Sequence, residues 1–389
     1  MSTLGMVLAG GAARGAYEAG VLRYLFTELP RNLGYVPWPD VVSGCSVGSL
    51  NGVFAAARSI EGIHHLSGMW RGLTIDQVYR LHGNSVFGAV KRMLYPTGGA
   101  SVLDATPLVR LVTSQIPLRE LRDAIDSGRT RALIVSATSV RTGFNVLFAD
   151  STWPQLDLQP MPGTRVQRVR TKAKHLLASC ALPLLFPPIL IGSELHVDGG
   201  LRQNTPLRPT IYSGADRILV LGVHLSKADE ANANQTAVVP SLPFLAGKSL
   251  NALTLDPIER DIRQAEKVSE IVAWGVKRYG PGFAADIQRD LGLHPVQLRY
   301  LKPSEDLGRL AATAWRERPP KVTGQLGWLL SAVADRVNEA GGESDLLSYI
   351  YFDHGFTSAL EDLGFADARK QEEGLVDFLT DGGRIGPPG

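Results

Sequence analysis

A serine flanked by glycines stands where a strand is predicted to turn into a helix. The pentapeptide Gly44–Gly48, with the sequence GCSVG, follows an apolar run and precedes the small, apolar run Leu50–Ala57. Such a turn exposes the hydroxyl of Ser46 at a helix N-terminus, where the helix dipole favours developing negative charge. The glycines at both ends lack a Cβ, so neighbouring backbone can pass close by. Taken alone, the pentapeptide indicates a nucleophile or a structural turn equally well, and Cys45 is interpreted as a small buried residue.

A glycine-rich loop, Gly10–Gly15, lies between a predicted strand and a helix further upstream. Consecutive small residues at a helix start expose backbone N–H groups, which suit an anion or an oxyanion. A nucleotide phosphate loop is the alternative. The lysine and Ser/Thr of a P-loop are absent, however, and so is the acidic residue that a dinucleotide fold places further on. A tight turn with only a structural role stays open.

A carboxylate follows a hairpin signature in the sequence. The apolar runs Pro188–Ile191 and Glu194–Val197 flank Gly192-Ser193, which predicts a two-residue turn. Asp198 follows at once, with Gly199 and Gly200 behind it. A carboxylate at a strand end can act as a general base or orient a histidine. The same tripeptide recurs at Asp381–Gly383, but there it stands in a polar tail and is expected to be an exposed turn.

The elements that carry these residues predict a parallel α/β sheet. A strand at Leu4–Ala9 precedes the first loop, and a helix that ends at Pro30 follows it. Arg131–Ala137 is predicted to be a strand paired with Phe144–Phe148, and Arg217–Val223 a further buried strand. Helices are predicted over three other segments. These are His175–Leu182, Arg260–Trp274 and Gly324–Ala340.

The length of 389 residues fits two or three domains, or one large domain with an extension. We predict a catalytic domain over residues 1–226 and a mostly helical extension over residues 227–380 that packs on it. The extension would open with a polar linker over 227–242, and residues 381–389 would form a flexible tail.

Composition narrows the class of protein. A hydrophobic content of 44% predicts a large core, and a net charge of +2 gives no sign of a nucleic-acid partner. The two cysteines, the lack of a signal peptide and the lack of a long apolar run predict a cytoplasmic protein. Peripheral membrane contact through Met69–Arg71 or Lys91–Tyr95 is left open beside a role of these residues in the core, and so is a homodimer. No metal site and no cofactor are predicted.

Taken together, these stretches resemble the patatin-like phospholipases, in particular the bacterial branch of that family. The resemblance is densest over residues 4–222. The matching stretches are Val7–Tyr17, Gly44–Gly52, Val197–Gly200, Asn204–Leu207 and Gly214–Arg217, with looser matches at Lys302–Gly308 and Asp345–Tyr349. The resemblance implies a three-layer fold, with a central, mainly parallel sheet flanked by helices and a mostly helical C-terminal region.

The resemblance also implies a Ser–Asp dyad in place of a triad, with Ser46 as the nucleophile and Asp198 as its base. Backbone N–H groups of Gly10, Gly11 and Ala12 would form the oxyanion hole, and Arg14 would help to order the loop. The third loop position is usually a glycine in this family. If it requires a positive φ, Ala12 is strained by about 1 kcal/mol or more.

An aspartate with an ordinary pKa is a weak base for a serine at neutral pH. We expect burial beside the apolar hairpin to raise the pKa of Asp198. A Ser-His-Asp triad is the alternative, and His196 would face the same side of its strand as Asp198. The other histidines considered are His175, His224 and His354.

The function expected from these residues is that of a serine acyl hydrolase acting on phospholipid or other fatty acyl esters through an acyl-enzyme. Two alternatives stay open. One is an acyltransferase or thioesterase that uses the same dyad, and the other is a catalytically silent lipid-binding scaffold.

Overall fold

The computed structural model describes residues 2–81, 103–153, 162–183, 185–224, 258–319 and 345–380, with single positions at 101, 158, 327 and 331. Several predictions from the sequence lie outside the described residues. These are the linker over 227–242, most of the helix Gly324–Ala340, the segment Lys91–Tyr95 and the tail 381–389.

A nine-stranded sheet forms the middle of the molecule, in the order β11-β10-β1-β2-β5-β6-β7, with the hairpin β8–β9 attached to β5. Its five strands from β11 to β5 are parallel, whereas β6 and β9 run antiparallel to β5. The strands are β1 (Leu4–Leu8), β2 (Val41–Cys45), β3 (Arg80–Leu81), β4 (Leu103–Asp104), β5 (Ala132–Ser139), β6 (Asn145–Asp150), β7 (Thr164–Arg168), β8 (Ile189–Ile191), β9 (Glu194–Asp198), β10 (Arg217–Leu221) and β11 (Gln297–Leu301). Strands β3 and β4 form a separate pair.

Helices cover both faces of the sheet. They are α1 (Gly15–Arg23), α2 (Pro30–Leu33), α3 (Val47–Ala57), α4 (Ile60–Arg71), α5 (Ile75–Val78), α6 (Thr106–Gln115), α7 (Leu118–Asp126), α8 (Ala173–Ser179), α9 (Leu207–Tyr212), α10 (Ile258–Tyr279), α11 (Gly282–Leu291), α12 (Leu307–Glu317), α13 (Asp345–Ile350), α14 (His354–Lys370) and α15 (Glu372–Thr380). Strand β1 shows how the layers form, since Met6 and Leu8 face the large core beneath α1 and α3, whereas Val7 faces α9 and α10. The predicted three-layer α/β fold is confirmed.

The C-terminal region is built into this core. Helix α14 lies so close to α1 that a Cβ on Gly20 would come within 1.9 Å of the Glu361 carbonyl oxygen. The Glu361 carboxylate is fully buried and pairs with Arg23 of α1 and Arg71 of α4. The region is mostly helical, as predicted, and it also supplies β11 to the sheet. The division into domains at residue 226 stays a prediction.

The structure differs from the prediction that the first helix ends at Pro30. Helix α1 gives way to a π-helical turn over Tyr24–Glu28, and the short helix α2 then begins at Pro30. A proline fits the first position of a helix because its missing N–H has no intrahelical partner there and its φ is already helical. The predicted strand pair β5–β6 and the two-residue turn of the hairpin β8–β9 are confirmed.

Candidate active site

Ser46 occupies a strained turn between β2 and α3, as the pentapeptide predicted. Its φ of 50° and ψ of −128° are rare for a residue with a side chain, and such a conformation costs about 1–3 kcal/mol. The flanking glycines are required by space. A Cβ on Gly44 would come within 2.5 Å of the Gly48 carbonyl oxygen, and one on Gly48 within 2.5 Å of the Leu8 carbonyl oxygen.

Two further serines hold the peptide groups of Ser46 on both sides. The Ser46 N–H donates to Ser179 Oγ at 2.8 Å, and Ser179 Oγ donates in turn to the Ser136 carbonyl oxygen at 2.6 Å. The Ser49 hydroxyl donates to the Ser46 carbonyl oxygen at 2.6 Å. All three partners are buried. Because these donors and acceptors are buried, they cannot form hydrogen bonds with water instead. Their hydrogen bonds therefore hold the strained turn in place.

Asp198 is brought to the same place by the hairpin β8–β9. It ends β9, where it pairs with Ala137 of β5, the strand next to β2. Its Oδ1 accepts the Gly200 N–H at 2.7 Å and faces the Cys45 thiol at 3.7 Å. Its Oδ2 is buried and accepts no hydrogen bond of ordinary geometry from the described residues. Oδ1 is thus engaged in a hydrogen bond, whereas Oδ2 is available to accept a proton.

Burial raises the pKa of Asp198 to about 6, while the Ser46 side chain, the Gly200 N–H and the Cys45 thiol each act to lower it. The direction is the one expected from the sequence. The two glycines after Asp198 let its chain pass close to β5, because a Cβ on Gly199 would lie 2.6 Å from the Ser136 carbonyl oxygen. A Cβ on Gly200 would lie 3.0 Å from Asn204 Oδ1.

The loop Gly10–Gly15 lies directly against the nucleophile. A Cβ on Gly10 would approach Ser46 Cβ to 3.2 Å, and a Cβ on Gly15 would approach Val47 Cγ2 to 2.3 Å. Ala12 has a φ of 49°, so the strain anticipated for an alanine at the third loop position is present. Because glycine adopts this conformation at no steric cost, the alanine is destabilising here by about 1 kcal/mol.

The loop offers fewer free donors than the sequence suggested. The Gly10 N–H donates to the Asn204 carbonyl oxygen at 3.0 Å, and the Asn204 side chain returns a hydrogen bond to the Gly10 carbonyl oxygen at 2.9 Å. Within the described ranges, the N–H groups of Gly11 and Ala12 donate to no protein acceptor. As an oxyanion donor, Gly10 would first have to release Asn204, whereas Gly11 and Ala12 are already available.

Arg14 ties the loop to the C-terminal region. Its side chain is buried, its Nε donates to Ser348 Oγ at 2.9 Å, and its guanidinium carbon lies 4.1 Å from the centre of the Tyr349 ring. Its Nη1 lies 2.8 Å from His224 Nδ1. Burial and the Arg14 charge lower the pKa of His224 well below its usual value, so the imidazole is neutral and its Nδ1 accepts this hydrogen bond.

The four histidines considered as triad members point elsewhere. His196 does share the buried side of β9 with Asp198, as predicted, but its Nδ1 contacts the Glu194 carbonyl oxygen at 3.0 Å. His175 accepts the Lys172 N–H, and burial lowers its pKa to about 4. His224 contacts Arg14, and His354 begins α14. In the part of the chain that is described, none of them forms a hydrogen bond with Ser46 or Asp198.

An apolar cavity opens from Ser46 and Ala12. Apolar residues of four helices line it, together with Phe186 ahead of the hairpin. The helical residues include Leu50, Met69, Val78 and Leu108, and Leu73 lies in the turn between α4 and α5. Trp70 also belongs to this wall, since it is 4% exposed and its indole N–H donates to Asn51 Oδ1 at 3.0 Å. Of the two explanations for Met69–Arg71, packing in the core therefore holds for Trp70.

Within the described ranges, no group of three or more histidine, cysteine, aspartate or glutamate residues lies together as a metal-binding cluster. In the same ranges, no helix combines the length and the apolar character that crossing a bilayer requires.

Ser49, Ser179, Asn204 and Ser348 were not predicted from the sequence as parts of the site, and His224 was considered only as a triad member and not as a partner of Arg14. Ser49, Asn204 and Ser348 stand inside stretches that resemble the family, which was the one signal for them. Ser179 and His224 carry no local pattern for these contacts, because their partners are distant in sequence. Ser179 contacts a residue 133 positions away, and His224 one 210 positions away.

The sequence profile described as patatin-like phospholipase matches residues 6–211, just over half of the chain. Lysophospholipase NTE1 of the fungus Cryptococcus neoformans is 27% identical over 229 residues, which is 57% of this chain. The match spans only 11% of that relative's length.

Two solved structures are similar in shape. VipD of Legionella pneumophila has 14% identity and a TM-score of 0.34, with 93% of this chain and 67% of that chain covered. Human GIVD cytosolic phospholipase A2 has 13% identity and a TM-score of 0.43, with 97% and 60% covered. Which branch of the family the chain comes from stays a prediction.

Proposed function

We propose that this chain, which belongs to the patatin-like phospholipase family, is a serine acyl hydrolase that cleaves fatty acyl esters of lipids with Ser46 and Asp198. One observation carries the proposal. A serine held in a strained strand-to-helix turn lies beside a buried carboxylate whose pKa is raised to about 6. This pairing supplies a nucleophile and a base that share one buried site.

In the first step, Ser46 Oγ attacks the ester carbonyl carbon while its proton passes to Asp198. A carboxylate whose pKa is about 6 is still ionised at neutral pH and is a stronger base than an ordinary aspartate. Oδ2 is the receiving atom in this proposal, because Oδ1 is engaged by the Gly200 N–H. The tetrahedral intermediate then expels the alcohol, which takes the proton back from Asp198 as it leaves.

The N–H groups of Gly11 and Ala12 would stabilise the negative charge on the carbonyl oxygen. Among the described residues they donate to no protein acceptor, and Ala12 lines the same cavity as Ser46. A donor aimed at an oxyanion contributes about 3 kcal/mol to transition-state stabilisation. In this account Gly10 supports the loop through Asn204, and Arg14 supports it through Ser348 and His224.

The cavity next to Ser46 would take the acyl chain. Its walls are almost entirely apolar, and burial of each methylene group of a fatty chain is favourable by about 0.8 kcal/mol. Deacylation would repeat the chemistry with water. Asp198 takes a proton from the water, the resulting hydroxide attacks the acyl carbon, and the fatty acid leaves as Ser46 recovers its proton.

The test is the release of fatty acid from a panel of phospholipids and lysophospholipids by the full chain and by Ser46→Ala. We expect release by the wild type and none above background by the variant. An alcohol or thiol acceptor is added in a second arm. If acyl transfer exceeded hydrolysis, the protein would be a transferase and not a hydrolase. If the folded wild type turned over no lipid, the proposal of a catalytically silent scaffold would stand instead.

A further inference from the structure

Five exposed apolar side chains gather at the end of the sheet where Ser46 lies. Their exposed fractions run from 39% for Leu201 to 60% for Leu190, and the group is completed by Val140, Phe144 and Leu195. Leu190 and Leu195 are a cross-strand pair on the outer face of the hairpin β8–β9. The outer face of a strand pair that is open to water normally carries polar residues. Apolar residues gathered there indicate a contact surface.

Hydrogen bonds join the segments that carry these residues into one surface. The Val140 N–H donates to the Leu195 carbonyl oxygen at 2.9 Å, which fixes the β5–β6 turn against the hairpin. The side chain of Arg202, next to Leu201, donates to the Gly143 carbonyl oxygen in that turn. We call this surface, made of the five apolar residues together with Arg141, Arg165 and Arg202, the hairpin face.

The hairpin face is positively charged. The Arg141 side chain is 77% exposed, that of Arg165 is 38% exposed, and Arg202 is exposed as well. The carboxylate of Glu194 lies beside two of these arginines; it is 11% exposed, and it pairs with Arg165 at 2.8 Å and with Arg141 at 3.9 Å. Three arginines against one glutamate leave a net charge of +2. Arginines around an apolar patch fit a surface that is anionic at its rim and apolar beneath, as an anionic lipid bilayer is.

The position of the hairpin face relative to the site supports the same occupant. Asp198 pairs with Ala137, and β5 continues from there towards Val140. At about 3.3 Å per residue, Val140 lies roughly 10 Å beyond the level of Asp198. The hairpin is also continuous with the site in sequence, since Phe186 of the cavity wall precedes it and Asp198 ends it. A bilayer seated on this face would lie next to the cavity that opens at Ser46.

We propose that the hairpin face docks the protein on anionic lipid bilayers, with the arginines contacting headgroups and the five apolar side chains entering the interface. The proposal rests on the proposed function, because it names the physical state in which the lipid substrate is met. It concerns a surface separate from the dyad, so it can be tested in a protein that does not turn lipid over.

The experiment is co-sedimentation of full-length Ser46→Ala with vesicles of phosphatidylcholine, with and without phosphatidylglycerol. We expect binding to the mixed vesicles and little to pure phosphatidylcholine. Added Arg141→Glu should lower binding by about tenfold, because it reverses one charge near the lipid surface. Added Leu190→Ser with Leu195→Ser should lower it by about tenfold or more.

Matched controls come from α10 and α11, since α10 packs near the β11 edge of the sheet, several strands away from β5. Ile271 is 46% exposed on α10, Leu291 is 67% exposed at the end of α11, and Arg263 is 67% exposed on α10. The double change Ile271→Ser with Leu291→Ser, and the single change Arg263→Glu, should each leave vesicle binding within about twofold. Equal losses in the control and hairpin variants would overturn the proposal.

A second readout separates this proposal from the proposed function. In the active protein, the hairpin variants should keep hydrolysis of a water-soluble ester and lose it on vesicles. Loss on both substrates in folded protein would assign the hairpin to the dyad and overturn the docking role. An inactive wild type that still binds anionic vesicles through this face would fail only the proposed function. A change of mass in solution with unchanged vesicle binding would make the face an interface between two copies.

Discussion

Two strand–turn–helix units lie next to each other in this protein, and each supplies one part of the candidate site. In one, β1 leads through Gly10–Gly15 into α1, and in the other, β2 leads through Ser46 into α3. Each turn holds a residue with a side chain at positive φ, 49° for Ala12 and 50° for Ser46. The two turns therefore carry similar backbone strain, but they are held in place differently.

The Ser46 turn is held by neighbours within the first half of the chain, chiefly Ser49 and Ser179. The glycine loop is held from a distance, through Arg14 and its contacts with His224 and Ser348. The nucleophile is thus fixed by the sheet and its nearest helices, whereas the loop that would stabilise the oxyanion depends on the C-terminal region. Substitutions on the two sides should accordingly have different effects.

The largest effect is expected from replacing Asp198, the proposed base. Asp198→Asn keeps the shape of the side chain but removes the proton acceptor, so kcat/KM on a soluble ester should fall by about 10³-fold or more. In the wild type, kcat/KM should decline as pH falls through about 6, the pKa of Asp198. If kcat/KM of the wild type declined only near pH 4, the raised pKa of Asp198 would be contradicted. If Asp198→Asn kept a tenth of the wild-type kcat/KM, the role of Asp198 as the base would be contradicted.

The same substitution should stabilise the fold at high pH. The pKa of Asp198 is raised from 3.8 to about 6, so the folded protein binds this proton more tightly than the unfolded chain. That contribution is complete below about pH 4 and is lost as pH rises through about 6. The unfolding free energy of Asp198→Asn should therefore be about 2 kcal/mol higher than that of the wild type at about pH 8. At about pH 4 the two unfolding free energies should be nearly equal. Urea denaturation at the two pH values measures this difference, and a gap that widens towards low pH would show the sign to be wrong.

On the nucleophile side, Ser179→Ala leaves the buried N–H of Ser46 without its acceptor. We expect kcat to fall by about 30-fold with KM nearly unchanged, because a turn that loses its support holds the hydroxyl less accurately. Ser179→Thr restores an acceptor and should recover part of the loss. Equal falls for Ala and Thr would assign the effect to packing instead of the hydrogen bond.

On the loop side, Ser348→Ala removes one contact of Arg14, while the contacts with His224 and Tyr349 remain. The expected fall in kcat is about fivefold, smaller than for Ser179, because the loop keeps its other supports. Ser358→Ala on α14 is the matched control, since the one hydrogen bond of its hydroxyl to a described residue goes to the Arg71 carbonyl oxygen, at 3.4 Å. A larger fall for Ser348 than for Ser179 would reverse the comparison of the two turns.

The smallest effect is expected from the strain itself. Ala12→Gly should raise the unfolding free energy by about 0.5–1 kcal/mol, because glycine accepts the positive φ while losing more entropy on folding. Thermal denaturation with activity as a second readout tests this. If Ala12→Gly were less stable than the wild type, packing of the Ala12 methyl group against the cavity wall would contribute more to the unfolding free energy than relief of the backbone strain.

The parts of this structure that the sequence predicted are those written in local patterns. The turn at Ser46, the hairpin that delivers Asp198 and the parallel β1–β2 pair all follow from short runs of apolar residues and glycines. The φ of Ala12 was anticipated because one position departs from a known pattern. Such features depend on residues within a few positions of one another.

The parts that the sequence did not predict depend on contacts over long separations. The bond from the Gly10 N–H to Asn204 spans 194 positions, and the contact of Arg14 with Ser348 spans 334. No local pattern predicts which backbone N–H is already engaged. A single sequence also does not reveal that a strand beyond residue 290 joins the sheet. The roles of Ser46, Asp198 and the loop residues stay proposals, and so do the compartment and any dimer.

The most direct test of the dyad is labelling with an alkyl fluorophosphonate, followed by mass spectrometry of the modified peptide. We predict one label, on Ser46, in the wild type and at a similar rate in His196→Ala. In folded Asp198→Asn, the labelling rate should fall by about 100-fold or more. A folded wild type without label on Ser46, or a His196→Ala protein that labels as slowly as Asp198→Asn, would contradict the Ser46–Asp198 pair.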